Sequence, residues 1–414
     1  MLVKLKNIYL QLGFNLPLLI AFLLPFGINH AFLIIIWMIS FFAFDNIKQG
    51  FKTIFNSKWF YALLVFFLIH ALGYLFSNDK SDALNAIEIK LGFLAFPILI
   101  FSSQFNDIQI KKIVISFVSG CILSAVICFF RAFYLYFFEN VNAFFYSDFN
   151  YFLHPSYFAM YLVFAQLIVM LFYPKWLAHL SQLNIKLGFM SIIILTSIFL
   201  CSSKMGLITA FLLLPLTFCV ILYNKGYKKV IMSLVIGLFV SIAAAYKIFP
   251  TPFERIKIAF KVTTSVEKID KTDAESTAVR ILIWQESVKL IKDNFWLGTT
   301  AGDANDKLIE AYKKDGLTGA LIKKLNAHNQ FLQTFIGTGI IGFLLLLLIT
   351  IGTLIYGFVK KNHILVLFSI LIFFNFLVES MLQAQAGFIF FVFFLCLLLK
   401  YNLNQLSKKI MTNQ

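Results

Sequence analysis

Hydrophobic positions in this chain come as long runs, not as an alternation or a narrow helical stripe. Apolar stretches near residues 8–28, 31–44, 59–76, 91–103, 112–138, 155–173, 187–202, 205–223, 229–249, 329–357, 362–378 and 386–400 are separated by short polar connections. An α-helix needs about 20 apolar residues to cross a hydrocarbon core of about 30 Å, and it satisfies its own backbone hydrogen bonds there. The pattern therefore predicts an all-α polytopic membrane protein with about 12 transmembrane helices. The one long polar interruption divides the chain into residues 1–249 with nine spans, a loop domain at 250–327, and residues 328–414 with three spans and a tail.

The lysines orient this array. With the N-terminus inside, Lys48, Lys52 and Lys58, then Lys111 and Lys112, Lys175 and Lys186, Lys225, Lys228 and Lys229, Lys360 and Lys361, and Lys400, Lys408 and Lys409 all fall on the cytoplasmic side. The opposite connections carry Asp79, Asp82 and Glu88, partly offset by Lys80 and Lys90, then Glu139 and Asp148, then Glu379. By the positive-inside rule both termini are cytoplasmic and the 250–327 loop lies outside. Lys4 and Lys6 precede the first run as they would in a signal peptide, but Pro17 and Pro25 interrupt it and no A-x-A-like site follows. A retained first span is expected.

Composition sharpens the class. Of 414 residues, 60% are hydrophobic, 18% aromatic and only 13% charged, with mean hydropathy +0.87. Soluble domains carry about 25% charged residues, so a soluble enzyme, a disordered tail and a disulfide scaffold are all disfavoured. The net charge of +16 is almost wholly lysine in clusters between apolar runs, which suits membrane topology and not nucleic acid. Arginine occurs only at Arg131, Arg255 and Arg280. Cys121, Cys128, Cys201, Cys219 and Cys396 show no CxxC spacing, so neither a zinc site nor a disulfide framework is indicated.

The 250–327 segment holds 13 Lys plus Arg and 11 Asp plus Glu, which makes it solvated yet nearly balanced. Its pattern predicts one helix over about 275–293 and a second over 303–314, joined by the turn NFWLGTTAGD at Asn294–Asp303. A loop this long on an otherwise minimal membrane protein is expected to carry function.

Several residues carry candidate chemistry. Lys204, in the tight outward turn C-S-S-K, runs against the positive-inside trend; it is either a snorkelling lysine or a cation serving a site. Arg280 offers a rigid fork of donors that matches phosphate oxygens, against the plainer reading of a salt bridge to Glu275 or Glu286. His328, in N-A-H-N-Q where the loop re-enters the membrane, is either a border residue or a general base near neutral pH. Two cations and one base on the same face suit a negatively charged leaving group such as diphosphate. Arg131 is an intramembrane charge or a snorkelling side chain, and His154-Pro155-Ser156-Tyr157 opens the sixth span with an imidazole and a phenol. Asp79 and Asp82 form the nearest approach to a metal site, a weak one without histidine. Gly337-Thr338-Gly339-Ile340-Ile341-Gly342 matches a GxGxxG string, but no strand precedes it, so close helix packing is expected there instead of a dinucleotide.

His328-Asn329-Gln330-Phe331-Leu332-Gln333 followed by Gly339-Ile340-Ile341-Gly342 resembles the signature of the O-antigen ligase and polymerase (Wzy-C) superfamily. Supporting it are the Ser203-Lys204 turn, the R-x-x-x-W helix from Arg280 to Trp284 followed by Gly298, and the H-P-S-Y element at His154. The resemblance extends over about residues 60 to 400. It implies a GT-C-like membrane glycosyltransferase acting at the periplasmic side of the bacterial inner membrane without metal or cofactor. Its partners would be an undecaprenyl-diphosphate-linked glycan donor and an acceptor, lipid A-core for a ligase or another lipid-linked glycan for a polymerase. It also implies that Arg280 binds diphosphate and that His328 activates or positions the acceptor, with Asn329, Trp284, His154, Tyr157 and Arg131 as possible substrate contacts. Lys204 stands where the family usually has arginine, which keeps the charge and loses the bidentate fork. A lipid-linked oligosaccharide flippase is the non-enzyme alternative; it would require charge near mid-membrane and internal symmetry.

Overall fold

The structure, a computed structural model, describes residues 2–44, 47–176, 183–224, 227, 271–272 and 277–412. Every regular element among them is helical. The chain runs through α1 (Leu2–Leu23), a 3-10 turn at Leu24–Phe26, α2 (Ala31–Phe44), α3 (Ile47–Phe55), α4 (Lys58–Phe76), α5 (Lys80–Lys90), α6 (Gly92–Ser102) and α7 (Asp107–Phe138). It continues with α8 (Tyr146–Phe149), α9 (Pro155–Trp176), α10 (Leu183–Leu200) and α11 (Lys204–Asn224). From Thr277 onward come α12 (Thr277–Asp293), α13 (Ala304–Asp315), α14 (Thr318–Ile322), α15 (Gln330–Val359), α16 (His363–Phe376), a 3-10 turn at Met381–Gln383, and α17 (Gln385–Thr412).

Among the described residues, five helical stretches are long and apolar enough to cross a membrane: Lys58–Phe76, Lys80–Ser102, Asp107–Phe138, Lys204–Tyr223 and Gln330–Val359. Shorter apolar helices accompany them. This is an integral, polytopic membrane protein. The expected ninth span near 229–249, the loop residues 250–270 with Arg255, and Glu275 lie outside the described residues.

Local sequence explains the helix boundaries. Asn106 and Gln109 form a reciprocal capping box at the start of α7, and Asn362 caps α16 through the Leu365 N–H. The Asp79 side chain accepts from the Asp82 N–H and starts α5, so the apolar run expected at 91–103 is the second half of a longer stretch beginning at Lys80. A further helix, α3, occupies part of a connection read from sequence only as basic; Gly50 and Ile54 are buried and Lys52 is exposed.

Phenylalanine packs the bundle. Rings of α7, α9, α16 and α17 interlock: Phe117 lies 4.7 Å from Phe394, Tyr161 4.4 Å from Phe390, and Phe164 5.1 Å from Phe368. Burial against lipid gains nothing when helices meet inside a bilayer, so association there rests on such shape-matched contacts. Helix α17 is buried on all sides from Phe388 to Leu399 and serves as the central post.

A second, smaller core lies beyond the bundle. Val279, Leu282, Ile283 and Ile291 of α12 pack with Ala304, Leu308 and Tyr312 of α13, with Ala320 and Ala327, and with Ile336 of α15. The first part of α15 is thus shared, Ile336 facing these helices and Phe331 facing Phe373 and Phe376 of α16. Gly339, at φ 64° and ψ −165°, breaks α15 immediately afterwards.

Candidate functional site

The site assembles around Glu379, in the turn between α16 and α17. Arg280, one turn into α12, donates through Nη2 to Glu379 Oε1 at 3.3 Å and through Nη1 to the Val378 carbonyl at 2.7 Å. His328 Nδ1 lies 3.4 Å from Glu379 Oε2. Ser156, in the first turn of α9, donates to Glu379 Oε1 at 3.4 Å. Three segments remote in sequence therefore converge on one carboxylate.

Burial alone would raise the Glu379 pKa. The hydrogen bond from His328, with the positive charges of Arg280, His328 and His154, outweighs it and holds the carboxyl below its ordinary range. His154 shifts the opposite way: burial, with the nearby Arg280 and His328 charges, lowers its pKa against the raising effect of Glu379. The carboxylate is thus kept ionised while the His154 cation is disfavoured. Side-chain exposures of 28% for Arg280 and 21% for His328 leave both reachable from solvent.

Backbone geometry delivers His328 to this point. It adopts φ 45°, a left-handed conformation, immediately before Asn329 caps α15. The Asn329 side-chain Oδ1 accepts from the Phe331 and Leu332 N–H groups while its Nδ2 donates to the Leu377 carbonyl at 3.1 Å. Gln330 accepts from the Leu382 N–H at 2.7 Å, and Gln333 accepts from Ala327 N–H and donates to Asn305. The H-N-Q-x-x-Q string is therefore a clamp: each polar residue after His328 ties α15 to the Glu379 turn or to the loop helices. Trp284 adds to it, its indole N–H donating to the Ala327 carbonyl at 3.0 Å.

The other sequence candidates also make contacts of their own. Arg131 donates to the Asp148 carbonyl and covers the Tyr151 ring, so it pins the 140–151 loop to α7. Tyr157 stands one turn beyond His154, its ring centroid 6.2 Å from the imidazole, and packs against Gly387. Lys204 opens α11 as an exposed residue, with Gly206 of its first turn packed against Ala159 of α9. The pairing of Arg280 with Glu286 does not occur, because Lys289 takes Glu286 at 2.7 Å. The Asp79 carboxylate is used as a helix cap, and among the described residues no group of three or more His, Cys, Asp or Glu is arranged to hold a metal.

The GxGxxG string has a different use from simple helix packing. At the Gly339 break the chain segment after α12 enters the gap: Thr299 N–H donates to the Ile336 carbonyl at 2.7 Å, and Ile340 N–H donates to the Phe295 carbonyl at 2.9 Å. Gly298, at φ 72°, lies against the same break. A Cβ on Gly339 would stand 2.2 Å from the Trp296 carbonyl oxygen, and one on Gly298 2.6 Å from the Ile336 carbonyl oxygen. Glycine is required at both positions.

Residues 189–347 match the family model described as O-antigen ligase, Wzy_C. Over that segment the chain is similar to the Wzy-C family. The matched segment holds Lys204, Arg280, Trp284, His328, Asn329 and the glycines of the break; His154, Tyr157, Arg131 and Glu379 lie outside it. It is narrower than the 60–400 range over which the resemblance was expected. No curated protein gives a significant match. A Wzy-C domain points to O-antigen ligase- or polymerase-type activity, that is, to an enzyme of lipid-linked glycan transfer working in a membrane on a glycan donor and an acceptor.

Sequence reasoning missed Glu379 as the centre of the site. It was legible only as the acidic residue of one outward connection. Its position 51 residues beyond His328 and 99 beyond Arg280 left no local spacing to read.

Proposed function

We infer that this protein is an O-antigen ligase-type glycosyltransferase, moving a glycan from undecaprenyl diphosphate to an acceptor hydroxyl of lipid A-core at the periplasmic face of the inner membrane. In this reading twelve spans form a GT-C-like frame over 1–249 and 328–414, both termini are cytoplasmic, and 250–327 is the periplasmic loop domain. The observation that carries it is the joining of Arg280 and His328 through Glu379, with both outer residues inside the Wzy-C segment.

The chemistry follows from the charges. Glu379 fixes the His328 imidazole by its Nδ1 side and leaves Nε2 to take the proton of the acceptor hydroxyl, as a carboxylate orients histidine in other hydroxyl-activating sites. The acceptor oxygen forms its bond to the anomeric carbon while the bond from that carbon to the diphosphate oxygen breaks. The electron pair leaves with undecaprenyl diphosphate, whose developing charge Arg280 and Lys204 stabilise. Attack opposite the leaving group inverts the anomeric centre. Asn329 and Trp284 hold the His328 segment in place, while His154 and Tyr157 line the approach beneath it. No metal or cofactor takes part in this scheme.

A gene deletion with the surface lipopolysaccharide resolved on a gel, complemented by wild type and by His328→Ala, tests the assignment. Core alone, with full-length polymer accumulating on undecaprenyl diphosphate and rescue only by wild type, is the expected result. Core bearing a single repeat would make the protein a polymerase acting through the same cluster. An unchanged ladder would overturn both.

A further inference from the structure

The loop Phe295-Trp296-Leu297, which fills the break in α15, leaves its own side chains outside. Trp296 is 73% exposed, Leu297 79% and Phe295 41%, although the backbone between them is tightly bonded to α15. Trp296 and Leu297 turned outward from a fixed backbone, beside Phe295 whose ring also meets Phe335 at 5.5 Å, are not a solvated turn.

Helix lengths give the level at which they sit. Beyond Gly339, Ile340–Val359 is about 20 residues, or about 30 Å at 1.5 Å per residue, which is one hydrocarbon core. Lys360 and Lys361 close its far end. Before Gly339, Leu332, Phe335 and Ile336 pack in the small core, while Phe331 packs on Phe373 and Phe376 of α16 in the main one. About one hydrocarbon thickness thus separates Gly339 from the lysine pair. A second helix agrees: α4 ends at Phe76 with Leu72, Leu75 and Phe76 exposed, and Thr300 and Ala301 pack against its Gly73. The 295–297 loop thus sits at the break of α15, and the residues just after it reach the last turn of α4.

We propose that Phe295, Trp296 and Leu297 insert into the lipid leaflet nearest the loop helices, so that the occupant of this exposed surface is bulk phospholipid at the boundary between headgroups and acyl chains. Indole belongs at that depth, with its apolar ring in the chains and its N–H toward the headgroups. Tryptophan and leucine there replace water by lipid, while the Phe295 carbonyl, the Gly298 N–H and the Thr299 N–H that frame the tip are already bonded within the protein. The consequence is a fixed tilt of α12, whose far end carries Arg280 into the site. The inference rests on the membrane-spanning architecture and not on the reaction.

The test uses the full-length protein in single-copy nanodiscs of phospholipid alone, comparing wild type with Trp296→Phe; the difference in emission is the Trp296 signal. We expect that signal to be blue-shifted, lost when the acyl chains are brominated near the headgroup, less affected by bromines near the chain ends, and insensitive to aqueous iodide. A Leu297→Cys variant carrying a polarity-sensitive dye reads the same depth without touching the indole. Quenching by iodide would place the tip in water and overturn the proposal. Quenching by neither agent would mean protein cover, and bromolipid quenching only after a polyprenyl lipid is added would mean the donor chain; each result also overturns it. Lipopolysaccharide composition does not enter the readout, so failure here and failure of the ligase assignment are separate events.

Discussion

His328 Nδ1 and Glu379 Oε2 meet at 3.4 Å across 51 residues of chain, and on the other oxygen of the same carboxylate sits Arg280. The proposed base and the proposed diphosphate-binding cation thus share one anchor, and removing that anchor should impair both. Glu379→Gln keeps the shape and removes the charge. We expect it to slow transfer by about 10²-fold, within the range ascribed to a general base, and His328→Ala by about 10²- to 10⁴-fold. Turnover of a lipid-linked donor by purified protein at equal membrane level checks both. Unchanged turnover in Glu379→Gln would reduce the carboxylate to a structural link.

The fork of Arg280 should matter beyond its charge. One arm is on the Val378 carbonyl and the other on Glu379, a geometry a lysine ammonium cannot span. Arg280→Lys is expected to lose at least about tenfold in rate while Arg280→Ala loses nearly all activity, each inserting normally into the membrane. Equal activity of Arg280→Lys and wild type would show that a point charge suffices.

Glu379 also predicts a pH dependence of stability. Its pKa in the folded protein lies below the ordinary 4.5, so the folded chain takes up that proton less readily than the unfolded one. Its stabilisation is complete above about pH 4.5 and is lost as the pH falls through the lower folded value. Asp303 behaves in the same way relative to 3.8: burial opposes the shift, but donors from Asn78, Asp79, Ser77 and Thr300 hold its carboxyl low. Melting temperatures on acidification should fall less in Glu379→Gln and in Asp303→Asn than in wild type.

Asp303 has a further consequence. Its carboxylate accepts from the Ser77 hydroxyl at 2.7 Å and from the backbone N–H groups of Asn78 and Asp79 at 2.9 to 3.0 Å, which latches the loop helices to the end of α4. Asp303→Ala leaves those donors facing a void and should cost about 3 kcal/mol, given that a buried charged hydrogen-bonding group carries about 1.5–3 kcal/mol per bond and the bonds are not additive. Thermal unfolding in nanodiscs measures it.

The donor chemistry predicts turnover in excess chelator. Strict dependence on a divalent cation would return Asp79 and Asp82 to consideration, at the expense of the helix cap that Asp79 makes.

What the sequence determined by itself was set by solvent. A run of apolar residues has few places to go other than a bilayer, so the polytopic membrane class followed from one-dimensional pattern. Arg280, His328 and the glycines stood out for the same kind of reason, as rare residue types in unusual local settings. Tertiary structure alone decided what these residues do to one another. The carboxylate between Arg280 and His328 comes from a turn many residues away, and nothing in local spacing encodes that contact. Gly339 read as a packing glycine because a helix break filled by a distant loop leaves no periodic trace; its left-handed φ and the bonds from Phe295 and Thr299 exist only once the two segments have met. Asp303, a helix-starting acid by pattern, has no capping bond in the fold because the N–H groups at Asn78 and Asp79 offer its buried charge more donors than its own helix could.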